Sequence, residues 1–103
     1  MESRVGQFEA LVAKAPENEL FRFSLARTLL TEGRAVDAIP HFEFCVAKKS
    51  DWMMPRILLG KLLLGLDRRS AARPLLEDAL RLAIEQSHED PERELRALLA
   101  EMG

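Results

Sequence analysis

Tyrosine is absent from the 103 residues, and only nine positions are Val, Ile or Thr. Strands draw on β-branched and aromatic side chains, so this shortage argues against a sandwich or barrel. A single cysteine, Cys45, excludes an internal disulfide. An excess of one charge is lacking too: 15 Lys and Arg stand against 17 Asp and Glu, for a net charge of −2. No basic field for nucleic acid follows from that balance. The longest apolar run, Leu62 to Leu66, has Gly65 inside it. It falls far short of the roughly 20 residues of a membrane helix. Met-Glu-Ser-Arg-Val-Gly-Gln-Phe at the start has no cationic stretch leading into an apolar core, so no signal peptide is read and a cytoplasmic location is expected.

What is present is leucine, 18 times, and alanine, 13 times, with only five Gly and five Pro. Straight or small side chains lose little freedom in a helix, so the expected class is all-α. An apolar share of 48% with 31% charged residues belongs to a folded chain. A chain of this length can bury about two-thirds of its unfolded surface, enough for one core. A single domain over 1–103 is expected.

The chain repeats itself. Shifted by 34, residues 19–52 overlie 53–86 with eight identities: Arg22 and Arg56, Leu25 and Leu59, Leu29 and Leu63, Leu30 and Leu64, Arg34 and Arg68, Ala38 and Ala72, Pro40 and Pro74, Glu43 and Glu77. Ala26 meets Gly60, Phe42 meets Leu76, Cys45 meets Ala79, and Phe8 falls under Phe42. This reads as a half unit over 3–15, two whole units over 19–52 and 53–86, and a tail. Each unit predicts two helices. Phe21, Leu25, Leu29 and Leu30 recur at helical spacing, as do Ile39, Phe42, Cys45 and Val46. In the second unit, helices are expected over Ile57 to Leu64 and Ala71 to Ala83. Thr31-Glu32-Gly33-Arg34 and Gly65-Leu66-Asp67 mark the breaks, with Asn18 and Asp51 as expected N-caps. Pro40 and Pro74 should lie in the first turn or two of their helices. Ala26, Gly60, Ala38 and Ala72 are small where helix axes need to approach closely.

The pattern resembles the tetratricopeptide repeat, a helix-turn-helix of 34 residues. Leu59-Gly60-x-x-Leu63 matches its Leu-Gly-x-x-Tyr with Leu for Tyr, and Ala38-x-x-x-Phe42 fits its Ala-x-x-x-Phe. Pro16 falls where the family's closing Pro belongs, whereas Ser50 and Ile84 replace it later, and Arg22 and Arg56 stand for its Trp. The resemblance implies a right-handed superhelical stack of antiparallel helix pairs, about two and a half repeats long. Asp90-Pro91-Glu92-Arg93-Glu94 reads as a helix start with Asp90 as the cap. Leu95, Leu98, Leu99 and Met102 then form one stripe, predicting a capping helix over 91–102.

Reactive constellations are lacking. No nucleophile, base and orienting acid group around His41, and His88-Glu89-Asp90 lacks a second cluster of ligands for a metal. Cys45 reads as a small buried apolar group. A non-enzymatic protein without cofactor or metal is expected. Asp51-Trp52-Met53-Met54-Pro55 is read as a connector whose Trp packs, or as an exposed aromatic with two adaptable Met side chains for a partner.

The resemblance places ligands, usually protein segments, in a concave groove lined by the first helices. The candidate contact residues are Phe23, Arg27 and Leu30 from one unit and Met54, Ile57, Leu58 and Lys61 from the next. Arg27 and Lys61 are 34 apart, so they are expected side by side, as a pair for a ligand carboxylate or as two solvated cations. Family members that bind chaperones grip a C-terminal carboxylate with a clamp of Lys and Asn. Phe23 and Leu58 occupy its sites here, so heat-shock protein tails are not the expected ligand. The expected function is a protein–protein interaction module. The alternative is a self-assembling structural element, a homodimer through the apolar groove or the N-terminal helix.

Overall fold

The computed structural model describes residues 3–103, and every regular element in it is a helix. The first two positions of the expected 1–103 domain lie outside the described residues. Six helices follow in order: α1 (Arg4–Lys14), α2 (Glu19–Thr31), α3 (Ala35–Lys48), α4 (Met53–Gly65), α5 (Arg69–Glu85) and α6 (Glu89–Met102). The described residues contain no strand, and none of their helices is long and apolar enough to cross a membrane. The chain divides into two compact units, Met1–Ser50 and Asp51–Gly103. Within the first, α2 packs against α1 and α3; within the second, α5 packs against α4 and α6.

The 34-residue step is written in the backbone. Helices α2 and α4 begin and end 34 positions apart, and so do the starts of α3 and α5. Their closing turns match as well. Gly33 (φ 78°) and Asp67 (φ 60°) both take left-handed backbone. Beyond them Arg34 N–H donates to Leu29 C=O at 2.8 Å and Arg68 N–H to Leu63 C=O at 2.9 Å. Such a turn satisfies carbonyls that the helix end leaves open. Gly65, expected in the second break, instead ends α4. Asp67 holds the left-handed position, which its short polar side chain tolerates better than most. Ser87 (φ 58°) closes α5 in the same manner, with His88 N–H on Ala83 C=O at 2.8 Å.

The helix starts divide into capped and uncapped. Asn18 Oδ1 accepts from Leu20 N–H at 3.0 Å and Phe21 N–H at 3.1 Å, as expected. Asp51 does not cap α4: Trp52 occupies that place and makes no side-chain cap bond. Pro55 in the first turn of α4 removes one of the donors a cap would have satisfied. Asp90 does not cap α6 either, because the turn at Ser87 starts the helix two residues earlier than the expected 91. Asp90 joins Glu89 and Glu92 in the first turn, where acids favour the positive end of the helix dipole. Pro40 and Pro74 each lie five residues after the start of their helices, α3 and α5, and leave them continuous. Both prolines are exposed, as are Val36 and Ser70 four residues before them, so the freed carbonyls are left to water.

The small residues sit at close approaches. Ala26, Ala38 and Ala72 are fully buried. A Cβ added to Gly60 would lie 2.6 Å from Leu76 Cδ2 and 2.8 Å from its Cγ, inside contact distance. Leu25 and Leu59, one step apart, are each 2% exposed. Phe42 and Leu76, also one step apart, are buried completely. Each such side chain contributes about 1.5–3 kcal/mol by leaving water.

Candidate functional site

Helix α2 presents Ser24, Arg27, Thr28 and Thr31 at spacings of three and four, hence on one face. Arg4 and Phe8 on α1 are likewise one turn apart. These six residues line an open cleft of ≈ 370 Å³ within the first unit. The Thr28 hydroxyl donates to Ser24 C=O at 2.8 Å and the Thr31 hydroxyl to Arg27 C=O at 3.0 Å. Both threonine hydroxyls have their protons already committed to the helix. None of the lining side chains is acidic among the described residues. Among the described residues neither Arg4 nor Arg27 forms an ion pair; Arg27 lies 5.8 Å from the centroid of the Phe23 ring.

The expected contact residues have unlike settings. Phe23 and Leu30 are half-buried and Arg27 is exposed on α2, where the Phe23 ring meets Phe42 edge-on at 6.1 Å. On α4, Met54 is 39% exposed and Leu58 half-buried, whereas Ile57 is only 8% exposed. Ile57 therefore has little surface to offer a ligand. Lys61 is exposed but ion-paired with Glu94 on α6. Arg27 and Lys61 belong to different units. Of the connector, Met53 and Pro55 are buried, and the Trp52 carbonyl accepts from Arg56 Nη1 at 2.8 Å. Sequence reasoning named Arg27 but passed over Arg4 and Phe8. Their four-residue spacing was readable; that α1 would bring them to Arg27 was not.

The reactive side chains are held quiet. Cys45 is fully buried, with its thiol 3.5 Å from the Glu19 carbonyl oxygen. Burial pushes that thiol up to about 11, so it stays protonated at neutral pH and is a poor nucleophile. His41 is half-buried, and Arg22 Nη1 donates toward its Nδ1 at 3.4 Å. Burial first, and the Arg22 charge second, hold His41 below its ordinary value, while Glu9 pulls the other way. His88 is exposed and precedes α6.

The second unit has a cleft of the same ≈ 370 Å³, lined by Glu89, Glu92, Arg93 and Arg96. Its charges cancel: Arg96 meets Glu92 at 3.0 Å and Arg93 meets Asp90 at 3.4 Å. Of these two clefts, the one between α1 and α2 has lining cations and, among the described residues, no lining acid. Comparison with family models, with curated proteins and with solved structures gives no match to the chain.

Proposed function

We propose that this protein is a non-enzymatic interaction module of the tetratricopeptide kind, which holds a segment of another protein on the exposed face of α2. The observation that carries the reading is the repeated helix pair. The matching bounds of α2 and α4, the matching starts of α3 and α5, left-handed closing turns and small residues at equal places recur at 34 residues. Helical repeats of this sort use the faces of their helices as recognition surfaces. On α2, Phe23 and Leu30 supply apolar contact and Arg27 supplies a charge that fixes orientation. The quiet state of Cys45 and His41 supports a role without covalent chemistry.

A selection from randomised, unmodified peptides displayed on phage tests the proposal. Bound peptides should shift the backbone amide resonances of α2, and Phe23→Glu should reduce their affinity at least tenfold while the helical circular dichroism is retained. Binders that map elsewhere, or that ignore Phe23→Glu, would overturn it.

A further inference from the structure

The α1–α2 cleft carries two cations and, among the described residues, no carboxylate that answers them. Arg4 and Arg27 line it, no lining residue is acidic, and neither guanidinium is ion-paired among the described residues. Four of the seven arginines of the second unit contrast with this. Arg56, Arg81, Arg93 and Arg96 each meet a carboxylate within 3.4 Å. Exposed arginines normally find such partners or point into solvent. Here two converge on one cavity from two helices, beside the half-buried Ser24 hydroxyl and the Phe8 ring.

The charge count selects the ligand. One carboxylate would answer one guanidinium and leave the second unmatched. A phosphate monoester carries about −1.5 to −2 at pH 7 and offers three acceptor oxygens. Two planar guanidinium forks match that charge and geometry, since each can donate two parallel hydrogen bonds to one phosphate. Ser24 adds a hydroxyl that can donate to the third oxygen, whereas Thr28 and Thr31 cannot, because their protons are engaged with the helix. The cleft is lined by the exposed Arg4, Arg27 and Thr31, so a phosphorylated side chain can enter without any helix moving.

We infer that the α1–α2 cleft is a phosphate site, and that it takes a phosphoserine or phosphothreonine in a segment of another protein. The inference rests on the interaction-module reading and makes it more specific. Arg4 and Arg27 grip the phosphate from opposite helices, and Phe8 forms the apolar wall against which the carrier side chain lies.

The test is an array of peptides, each presented in serine, phosphoserine and glutamate forms, with inorganic phosphate as a separate probe. The phosphoserine forms should bind at least tenfold more tightly than their serine and glutamate partners, and less tightly as salt rises. Arg4→Ala and Arg27→Ala should each reduce that preference several-fold, and together abolish it. Arg27→Lys should retain part of it, and Arg34→Ala, in an arginine outside the cleft, should leave it unchanged. Both cleft arginines are at the surface, so folding should survive and is checked by circular dichroism. Equal binding of serine and phosphoserine forms that still needs Phe23 would overturn the phosphate inference and leave the module intact. A preference that survives the double variant, or binding of inorganic phosphate with no gain from a peptide, would also overturn it. No binding by any peptide form, together with no binders from phage, would overturn both readings.

Discussion

Arg22 and Arg56 hold the same place in successive helix pairs, 34 residues apart, and they meet different partners at an equally equivalent place. Arg22 lies 4.5 Å from the centroid of the Phe44 ring. Arg56 donates to Asp78 at 3.0 Å and is only 5% exposed. The contrast extends through both units. All five phenylalanines fall before residue 51, and 13 of the 18 leucines after it. Arg22, Arg27 and Lys48 of the first unit lie over aromatic rings. In the second unit Arg81 is held by both Asp78 and Glu85, and Lys61 by Glu94. Seven of the described hydrophobic residues are buried in the first unit and 12 in the second. The repeat therefore specifies where a cation stands and where the backbone turns. It leaves open whether a ring or a carboxylate answers that cation.

Deleting the equivalent core side chains breaks the comparison most severely. Phe42→Ala should cost about 3–5 kcal/mol and Leu76→Ala about 2–5 kcal/mol in urea unfolding. Cys45, the only cysteine, separates the two effects, because its buried thiol reacts only when the first unit opens. Phe42→Ala should speed thiol modification by orders of magnitude, and Leu76→Ala should speed it less.

Exchanging the partners of the two arginines comes next. Asp78→Phe leaves Arg56 buried without this carboxylate, while the Trp52 carbonyl still accepts from it. Because Asp78 itself is 41% exposed, the cost should stop at about 2 kcal/mol rather than that of a fully buried broken pair. Phe44→Asp removes a cation–π contact of about 0.5–1 kcal/mol and offers Arg22 a surface pair of about 0–1 kcal/mol. That variant should stay within about 1 kcal/mol of the parent. Equal costs for the two exchanges would mean that burial of Arg56 does not matter.

A smaller difference separates Gly60 from Ala26. Gly60→Ala gains about 1 kcal/mol of helix propensity but pushes on the buried Leu76 at a cost of about 1–3 kcal/mol. A net loss of stability is expected on chemical denaturation. A net gain would show that the α4–α5 packing yields easily.

Acid should act on the units in different windows. Hydrogen bonds from Arg81 first, and from Arg56, hold the Asp78 carboxyl below its ordinary 3.8. The stability this gives is present above about 3.9 and is lost as the pH falls through the lower folded value. His41 is depressed below 6.5, so the unfolded chain takes its proton first. Stability of the first unit should therefore decline as the pH falls below about 6.5, and His41→Gln should flatten that slope. Thiol modification measured between pH 7.5 and 5.5, normalised to the reagent's own pH dependence, reads it.

Much of the scaffold was legible in sequence. Breaks at Gly33 and near Asp67, the cap at Asn18, the tolerated Pro40 and Pro74 and the burial of Cys45 all follow from local chemistry or period. The reading went astray at Asp51 and Asp90, where a residue type that favours a cap stood beside the real start. There, preceding backbone turns and a first-turn proline outweighed the side chain. Of the candidate contact residues, Ile57 turned out buried and Lys61 paired, because burial and pairing depend on which helices stand alongside.

Period and composition by themselves determined an all-α chain of six helices with a 34-residue step, since helix propensity, left-handed turn residues and close-approach positions are all local or periodic properties. Tertiary structure alone decided that Arg4 and Phe8 from α1 share a cleft with Arg27 from α2, and that Arg56 is answered by Asp78 while Arg22 is answered by Phe44. Those pairings join residues about 20 apart in the chain, whose proximity is set by helix packing and by no periodicity along the sequence.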